Sequence, residues 1–428
     1  MKEIYTPGMP EVDGAALEAH VRTVAEQFPD ARRVLIVPPD FTRCYSMAGE
    51  ITKLLYGFFA SRAEVKIIPA LGTHMPMDDR ERQLFFGGIP ASCFLVHRWF
   101  ADTIRLGEIP GSVTAEISRG KYCEPVAVEL NSLLPEGGFD VIFSVGQVVP
   151  HEVVGMANYS KNLFVGLGGR EMINKSHMLS AICGIENALG VTDSPARLLY
   201  DYAQRHFVDG KIPVVYIQTV TTRDAGRVAL RGVYSGVSRR PFELAAALSQ
   251  ELNITYLDHP AKKVVAYLDP QELKTTWVGN KGIYRTRMAV ADGGELLVLA
   301  PGVRAFGENP ETDAMIRKYG YCGTQRVLAL YRQGCFDNLE MSAAHLMQGS
   351  SDGRFTVIYA TRPENLSREA VESVGFRWAD YDSCVKRYDP ARLREGWNTL
   401  EDGEQIYYVG TPALGLWNVN KSEKKNIE

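Results

Sequence analysis

Short apolar runs rich in β-branched residues alternate along the chain with segments whose apolar positions recur at helical spacing. VLIV (34–37), EITKLLYGFFAS (50–61), VKII (65–68) and VIFSV (141–145) set the rhythm. A strand buried on both faces reads as a continuous apolar run, so this alternation predicts βαβ units and a mostly parallel sheet covered by helices on both faces. Helices are expected over about 178–190 and 193–207, paired strands at 213–222 and 226–236, and a helix at 241–252. A turn signal at Leu257-Asp258-His259-Pro260-Ala261-Lys262 opens a second series. Its strands are expected at 263–268, 295–300, 355–360 and 405–410, and its helices near 311–319, 324–333 and 366–373. The expected fold class is therefore α/β. It comprises two α/β domains, 1–258 and 259–428, with mostly parallel sheets and an active-site cleft between them. The tail KSEKKNIE reads as frayed and solvated, and no internal repeat or low-complexity tract breaks the pattern.

What the strands run into carries the chemistry. VLIV ends in Pro38-Pro39-Asp40-Phe41-Thr42-Arg43, VKII in Pro69-Ala70-Leu71-Gly72-Thr73-His74, and VIFSV in Gly146-Gln147-Val148-Val149-Pro150-His151. Ligands of open parallel sheets bind outside the carboxyl ends of the strands, so Asp40, Arg43, His74 and His151 are candidates for one shared site. A Gly-rich stretch follows, with Lys161, the turn Gly166-Leu167-Gly168-Gly169-Arg170, and His177. That turn reads equally as an anion cradle or as a tight turn, and it matches neither a dinucleotide fingerprint nor a Walker loop.

Composition narrows the classes. With 428 residues, 45% apolar and 23% charged, the chain is long enough for two cores and too apolar for disorder. Lys plus Arg number 47 against 51 Asp plus Glu, which leaves no basic excess for a phosphodiester backbone, so nucleic acid is not an expected partner. The seven cysteines form no C-x-x-C pair or regular framework, as expected of reduced thiols in a cytoplasm. No run approaches a membrane span, and MKEIYTPGMPEVDG lacks the apolar stretch of a signal peptide, so a cytoplasmic protein without a membrane partner is expected.

Five motifs in order then resemble the nickel-dependent lactate racemase family over most of the chain. They are D-x-T-R at Asp40–Arg43, G-x-H at Gly72–His74, and Pro150-His151 with Gly155 four residues and Lys161 ten residues after the histidine. His177 follows sixteen residues later, and Lys281-Gly282 precedes Gly293-Gly294. The resemblance implies a nickel-pincer nucleotide attached to Lys161 through a thioamide, nickel ligated by His177, and Asp40, Thr42, Gly168 and Gly169 beside the cofactor. It implies His74 and His151 as an acid/base pair, with Arg43 and Lys281 holding the carboxylate or the oxygen at the reacting carbon and Asp40 orienting its neighbours. The implied reaction is an isomerase's: hydride transfer from Cα of a 2-hydroxy acid to the cofactor, through a 2-keto acid, giving racemisation or epimerisation. Enzymes that make the cofactor are implied partners, together with a small hydroxy acid or sugar acid.

The sequence also departs from the family's pattern. Cys44 replaces a Pro, Met75 an Arg, Ala157-Asn158-Tyr159-Ser160 a Ser-Gly-Gly-Arg, and Val278 a substrate-contacting Gln. These changes point to a hydroxy acid other than lactate, such as an aldonate epimerised at C2. Other readings stay open: a dehydratase or other proton-transfer enzyme on the same scaffold, or a non-catalytic carboxylate-binding protein. Taken singly, a strand-end His is more often structural than catalytic, His177 could cap or decorate its helix, and Arg43 could merely pair with Asp40. His20, His97, His206, His259 and His345 have no such context and read as structural.

Overall fold

The computed structural model describes residues 1–8, 10–224 and 227–420. The tail 421–428, expected to be frayed, lies outside them. The chain divides into two units, the first made of Met1–Cys183 and Gly190–Asn253, the second of Gly184–Leu189 and everything from Ile254 onward. The division falls at Asn253, a few residues before the turn signal, and the second unit also claims six residues from within the sequence of the first.

The first unit contains β1 (Ile4–Pro7), β2 (Arg33–Val37), β3 (Glu64–Ile67), the antiparallel hairpin β4 (Thr103–Ile109) and β5 (Val126–Asn131), and β6 (Val141–Gln147). These are followed by the short pair β7 (Pro150–His151) and β8 (Gly155–Met156), then β9 (Val214–Asp224) and β10 (Arg227–Gly236). Its main sheet has the order β1-β10-β9-β6-β2-β3. β9, β6, β2 and β3 are parallel, while β10 and β1 run antiparallel at one edge. Every residue of β6 is buried, which is why its sequence is mostly apolar, with Ser144 and Gln147 its two polar side chains. From β2 the chain goes to β3 on one side and later to β6 on the other. The loops leaving β2 and β6 therefore flank a topological switch point, where ligands of such sheets bind.

The helix expected at 178–190 begins at Arg170 and ends at Cys183, so His177 lies inside it. The break at Gly184 (φ 92) is followed by a short turn, Ile185–Ala188, and then by Pro195–Ala203 behind its Ser194 cap. The β4–β5 hairpin was not legible as strands, because β4 is only half-buried and its pattern is neither alternating nor continuous.

The second unit contains β11 (Ile254–Leu257), β12 (Ala261–Tyr267), β13 (Val290–Leu299), β14 (Thr356–Thr361), β15 (Arg377–Asp380), β16 (Gly396–Thr399), β17 (Gln405–Val409) and β18 (Leu416–Val419). Its sheet has the order β15-β14-β13-β12-β17-β16, parallel except for the edge strand β16. Val265, Leu297, Leu299, Ala360, Tyr381 and Ile406 form part of its core. β13 starts five residues earlier than expected, and Gly293 (φ 74) and Gly294 lie within it. A Cβ at Gly294 would meet the carbonyl oxygen of Lys262 at 2.8 Å, so this position favours glycine. Among the described residues, no helix is long and apolar enough to cross a membrane.

Candidate active site

β2 and β3 end side by side. The bridge between Pro39 and Ala70 and the hydrogen bond from Ala70 N to Pro38 O (2.8 Å) carry their register into the two turns. Buried Asp40 then caps the short helix Phe41–Ser46, accepting from Thr42 N at 3.0 Å and from the Thr42 hydroxyl. Its other oxygen lies 2.6 Å from Nδ1 of His74. Burial opposes ionisation of Asp40. The charge and hydrogen bond of His74, the Thr42 hydroxyl and the charge of Arg43 outweigh it, holding the carboxyl down to about 2. The expected alternative, an Arg43–Asp40 ion pair, does not form; the carboxylate is turned to His74, and the Arg43 guanidinium has no hydrogen-bond or ion-pair partner among the described residues. Gly72 (φ 58) allows the turn before His74 and donates to Gly166 O at 2.8 Å, docking this turn onto the Gly-rich segment.

His151 is buried in the tight β7–β8 pair, opposite Gly155. Its Nδ1 accepts from Val153 N at 3.1 Å, so the neutral ring carries its proton on Nε2. His74 has the opposite arrangement. Its Nδ1 faces the Asp40 carboxylate, which can only accept, so Nδ1 carries a proton and the neutral form of the ring has its lone pair on Nε2, with 38% of the side chain accessible. Glu152, which sequence reasoning passed over, places a carboxylate oxygen 3.9 Å from His151 Nδ1.

Lys161 lies on the short helix Ser160–Phe164. The neighbouring Asn162 pins this helix under the ends of β2 and β6, donating to Val37 O at 3.2 Å and to the Ser144 hydroxyl at 3.1 Å. The partly buried Lys161 amine has no hydrogen-bond or ion-pair partner among the described residues. Burial and then the Arg43 charge pull it down to about 8, against the pull of Glu152 and Asp40. His177 donates Nδ1–H to Ile173 O at 2.7 Å, one turn back, so it decorates its helix with one nitrogen and keeps an unclaimed lone pair on the other. Burial drives this imidazole down to about 4, with the Lys161 charge adding and the Ile173 carbonyl and Glu152 opposing. Asp40, Arg43, His74, Glu152, Lys161 and His177 thus act on one another electrostatically as one neighbourhood.

Gly168 and Gly169 have a packing role here. A Cβ at Gly168 would meet Phe164 O at 1.9 Å, and one at Gly169 the Glu129 carboxylate at 2.3 Å. Glu129 accepts from Glu171 N at 2.9 Å, and Arg170 stacks over Trp99. Lys281 is buried at the start of the helix Lys281–Thr286 in the second unit. The remaining histidines have structural surroundings. His20 joins Thr6 to Ser235, His97 joins Asn131 to Gly168 O, His206 stacks on Tyr202, His259 stacks on Trp397, and His345 sits between Tyr284 and Tyr321. None of the seven cysteines forms a disulfide.

The fold is that of an α/β protein built on mostly parallel sheets, with the candidate residues gathered at strand ends of the first unit. Residues 14–189 match the family model described as the lactate racemase N-terminal domain. A comparison with curated protein sequences returns no match. Among solved structures, a Thermotoga maritima protein superposes with a TM-score of 0.82 at 24% identity, covering 97% of this chain and 100% of that one. The lactate racemase apoprotein from Thermoanaerobacterium thermosaccharolyticum superposes at 0.69 with 18% identity, covering 97% and 94%. At these identities, the two structures establish the shared fold.

Proposed function

We propose that the protein is a racemase or epimerase of a 2-hydroxy acid that carries a nickel-pincer nucleotide on Lys161. The carrying observation is that an unpartnered lysine amine held at about 8 shares a neighbourhood with a neutral histidine whose Nε2 lone pair is unclaimed. A covalent bond through Lys161 needs the neutral amine as nucleophile, and at pH 7 an amine of this pKa is neutral about a tenth of the time. Nickel accepts imidazole. Among the described residues, no three of His, Cys, Asp and Glu gather into a metal-ligating group, so the remaining donors would come with the nucleotide.

When bound, that group would supply a hydride acceptor and donor for the substrate's Cα. The chain's own residues do the rest. Arg43 pairs with the substrate carboxylate, for which an uncommitted guanidinium fork is suited. His74, with a bare Nε2, is set to take a hydroxyl proton, and His151, with its proton on Nε2, is set to give one. They stand on the ends of β3 and β6, on opposite sides of β2, which suits proton handling for two enantiomers. For Lys281 the proposal rests on the resemblance alone, and Lys281→Ala kinetics test it. The departures at Cys44, Met75 and Val278 favour a substrate other than lactate, sugar acids included.

The test is co-expression with the cofactor-synthesis enzymes, followed by intact mass, peptide mapping and chiral chromatography of a panel of hydroxy acids and aldonates. An adduct on the Lys161 peptide and an inverted product support the reading. An unmodified Lys161, in a host where a known lactate racemase is loaded, defeats the covalent part. Saturable hydroxy-acid binding without exchange of a Cα deuterium favours a carboxylate-binding protein instead.

A further inference from the structure

The loop that delivers Lys161 is built in an unusual way. Asn158 (φ 68) and Tyr159 (φ 55, ψ −133) are consecutive non-glycine residues in left-handed backbone, immediately before the helix that carries the lysine. Side chains rarely adopt this conformation, and it persists only where the surroundings hold it. Both side chains here are buried and occupied. Asn158 Nδ2 donates to Gln218 Oε1 at 2.7 Å. The Tyr159 ring stacks on Phe242, with centroids 5.4 Å apart and an 18° interplanar angle, and lies 4.5 Å from the Tyr216 ring.

The device that holds the loop is Arg197, which is fully buried on the helix Pro195–Ala203. Its Nη2 donates to Met156 O at 2.7 Å and to Asn158 O at 2.9 Å, and its Nη1 donates to Ser160 Oγ at 2.7 Å. The guanidinium therefore grips the chain at the fifth, third and first residues before Lys161. Its carbon also lies 4.4 Å from the centre of the Phe242 ring. Ser160 passes the contact on, donating to Asp201 at 3.1 Å, and Asp201 in turn lies 3.2 Å from Arg239. Burying a guanidinium is expensive unless it is hydrogen-bonded, and here the three hydrogen bonds of its two Nη atoms all go to a single loop while Nε makes none.

We propose that Arg197 is a positioning residue for Lys161. Its three-point grip on the Asn158–Tyr159 turn aims the lysine amine into the site, so that losing the grip impairs covalent modification of Lys161 specifically. This rests on the reading of Lys161 given above, and the test separates the two.

The probe is an N-hydroxysuccinimide acetate, applied at pH 8 to the cofactor-free full chain. The acylation rate at Lys161 is mapped by peptide mass and normalised to exposed Lys211 in the same sample. Arg197→Met is expected to lower the normalised rate at least about fivefold, the loss of neutral amine at pH 8 when a pKa of about 8 rises by one unit. Arg197→Lys, which keeps the charge and part of the grip, is expected to restore most of it while thermal unfolding stays cooperative in both variants. Tyr159→Gly, which frees the turn and leaves Arg197 in place, is expected to lower the rate as well. A folded Arg197→Met protein with a native or raised rate overturns the proposal. If Arg197→Met does not fold, Tyr159→Gly decides, and a native rate there overturns it too. In co-expressed protein, adduct yield on Lys161 should follow the same order. If the native chain takes no adduct while the acylation rates differ as stated, the positioning role stands and the cofactor reading fails.

Discussion

Nδ1 of His74 lies 2.6 Å from a carboxylate oxygen of Asp40, a residue delivered by the neighbouring strand. The carboxylate fixes the ring's orientation and tautomer and leaves Nε2 as a base. Asp40→Asn can turn its amide NH₂ toward Nδ1, which would move the ring proton to Nε2 and remove the base. Turnover of the loaded enzyme is expected to fall about 10²-fold or more with KM nearly unchanged. Retention of native turnover would show that His74 is not the base.

Asp40 also ties stability to acid. Its folded value of about 2 lies below its ordinary 3.8, so its contribution is fully present above 3.8 and is lost as pH falls toward 2. Urea midpoints at pH 5 and pH 2.5 should diverge less in Asp40→Asn than in the native chain. Equal divergence would remove Asp40 as a source of the acid sensitivity.

The buried imidazoles act in a higher window. His177 and His20 are both held near 4 against an ordinary 6.5, so between 6.5 and 4 the unfolded chain binds protons that the folded chain does not. Stability therefore drops as pH falls through that window. His177→Leu should flatten the drop in part, with His20 and His97, which burial also lowers, continuing to contribute. A variant as acid-sensitive as the native chain would mean that His177 is not buried and neutral.

The free guanidinium of Arg43 predicts a carboxylate contact. Arg43→Ala should cost roughly 1.5–3 kcal/mol in kcat/KM, the range for hydrogen bonds to charged groups. Arg43→Lys, which keeps the charge and loses the fork, should fall between the two. Chiral product analysis across substrate concentrations gives both constants, and a native value for Arg43→Ala would place the carboxylate elsewhere.

Gly169→Ala would drive a Cβ to 2.3 Å from the Glu129 carboxylate that holds the start of the helix carrying His177. A destabilisation of about 1–3 kcal/mol is expected, read as a lower melting temperature. A melting temperature equal to the native one would show that Glu129 can move aside without cost.

The parallel strands and the residues at their ends were legible because a doubly buried strand is a mostly apolar run in sequence, as in β2 and β6, and the turn after it is easily found. The pairing of Asp40 with His74 rather than Arg43 was not, because it depends on how two strands align at Pro39 and Ala70, which no local pattern records. Glu129 was missed because its strand pairs with half-buried β4 in a two-stranded sheet outside the main one. Arg197 carries no signal at all, being a single arginine in an ordinary helix whose importance lies in the carbonyls it reaches. The replacement of the family's glycines by Asn158 and Tyr159 was visible as a departure. That these residues nevertheless keep left-handed backbone could be learned only from the dihedral angles and the aromatic packing that surrounds them.

The six residues Gly184–Leu189 belong to the second unit although the first continues after them. Ile185 and Leu189 pack with Tyr284 and Leu416, and Glu186 bonds Arg287 at 2.7 Å. As the chain leaves the ribosome, this segment must wait for partners encoded far downstream, about 100 residues on at Tyr284 and more than 200 at Leu416. A copy truncated after Asn253 would keep Ile185 and Leu189 and lose Tyr284 and Leu416, the buried side chains they pack with.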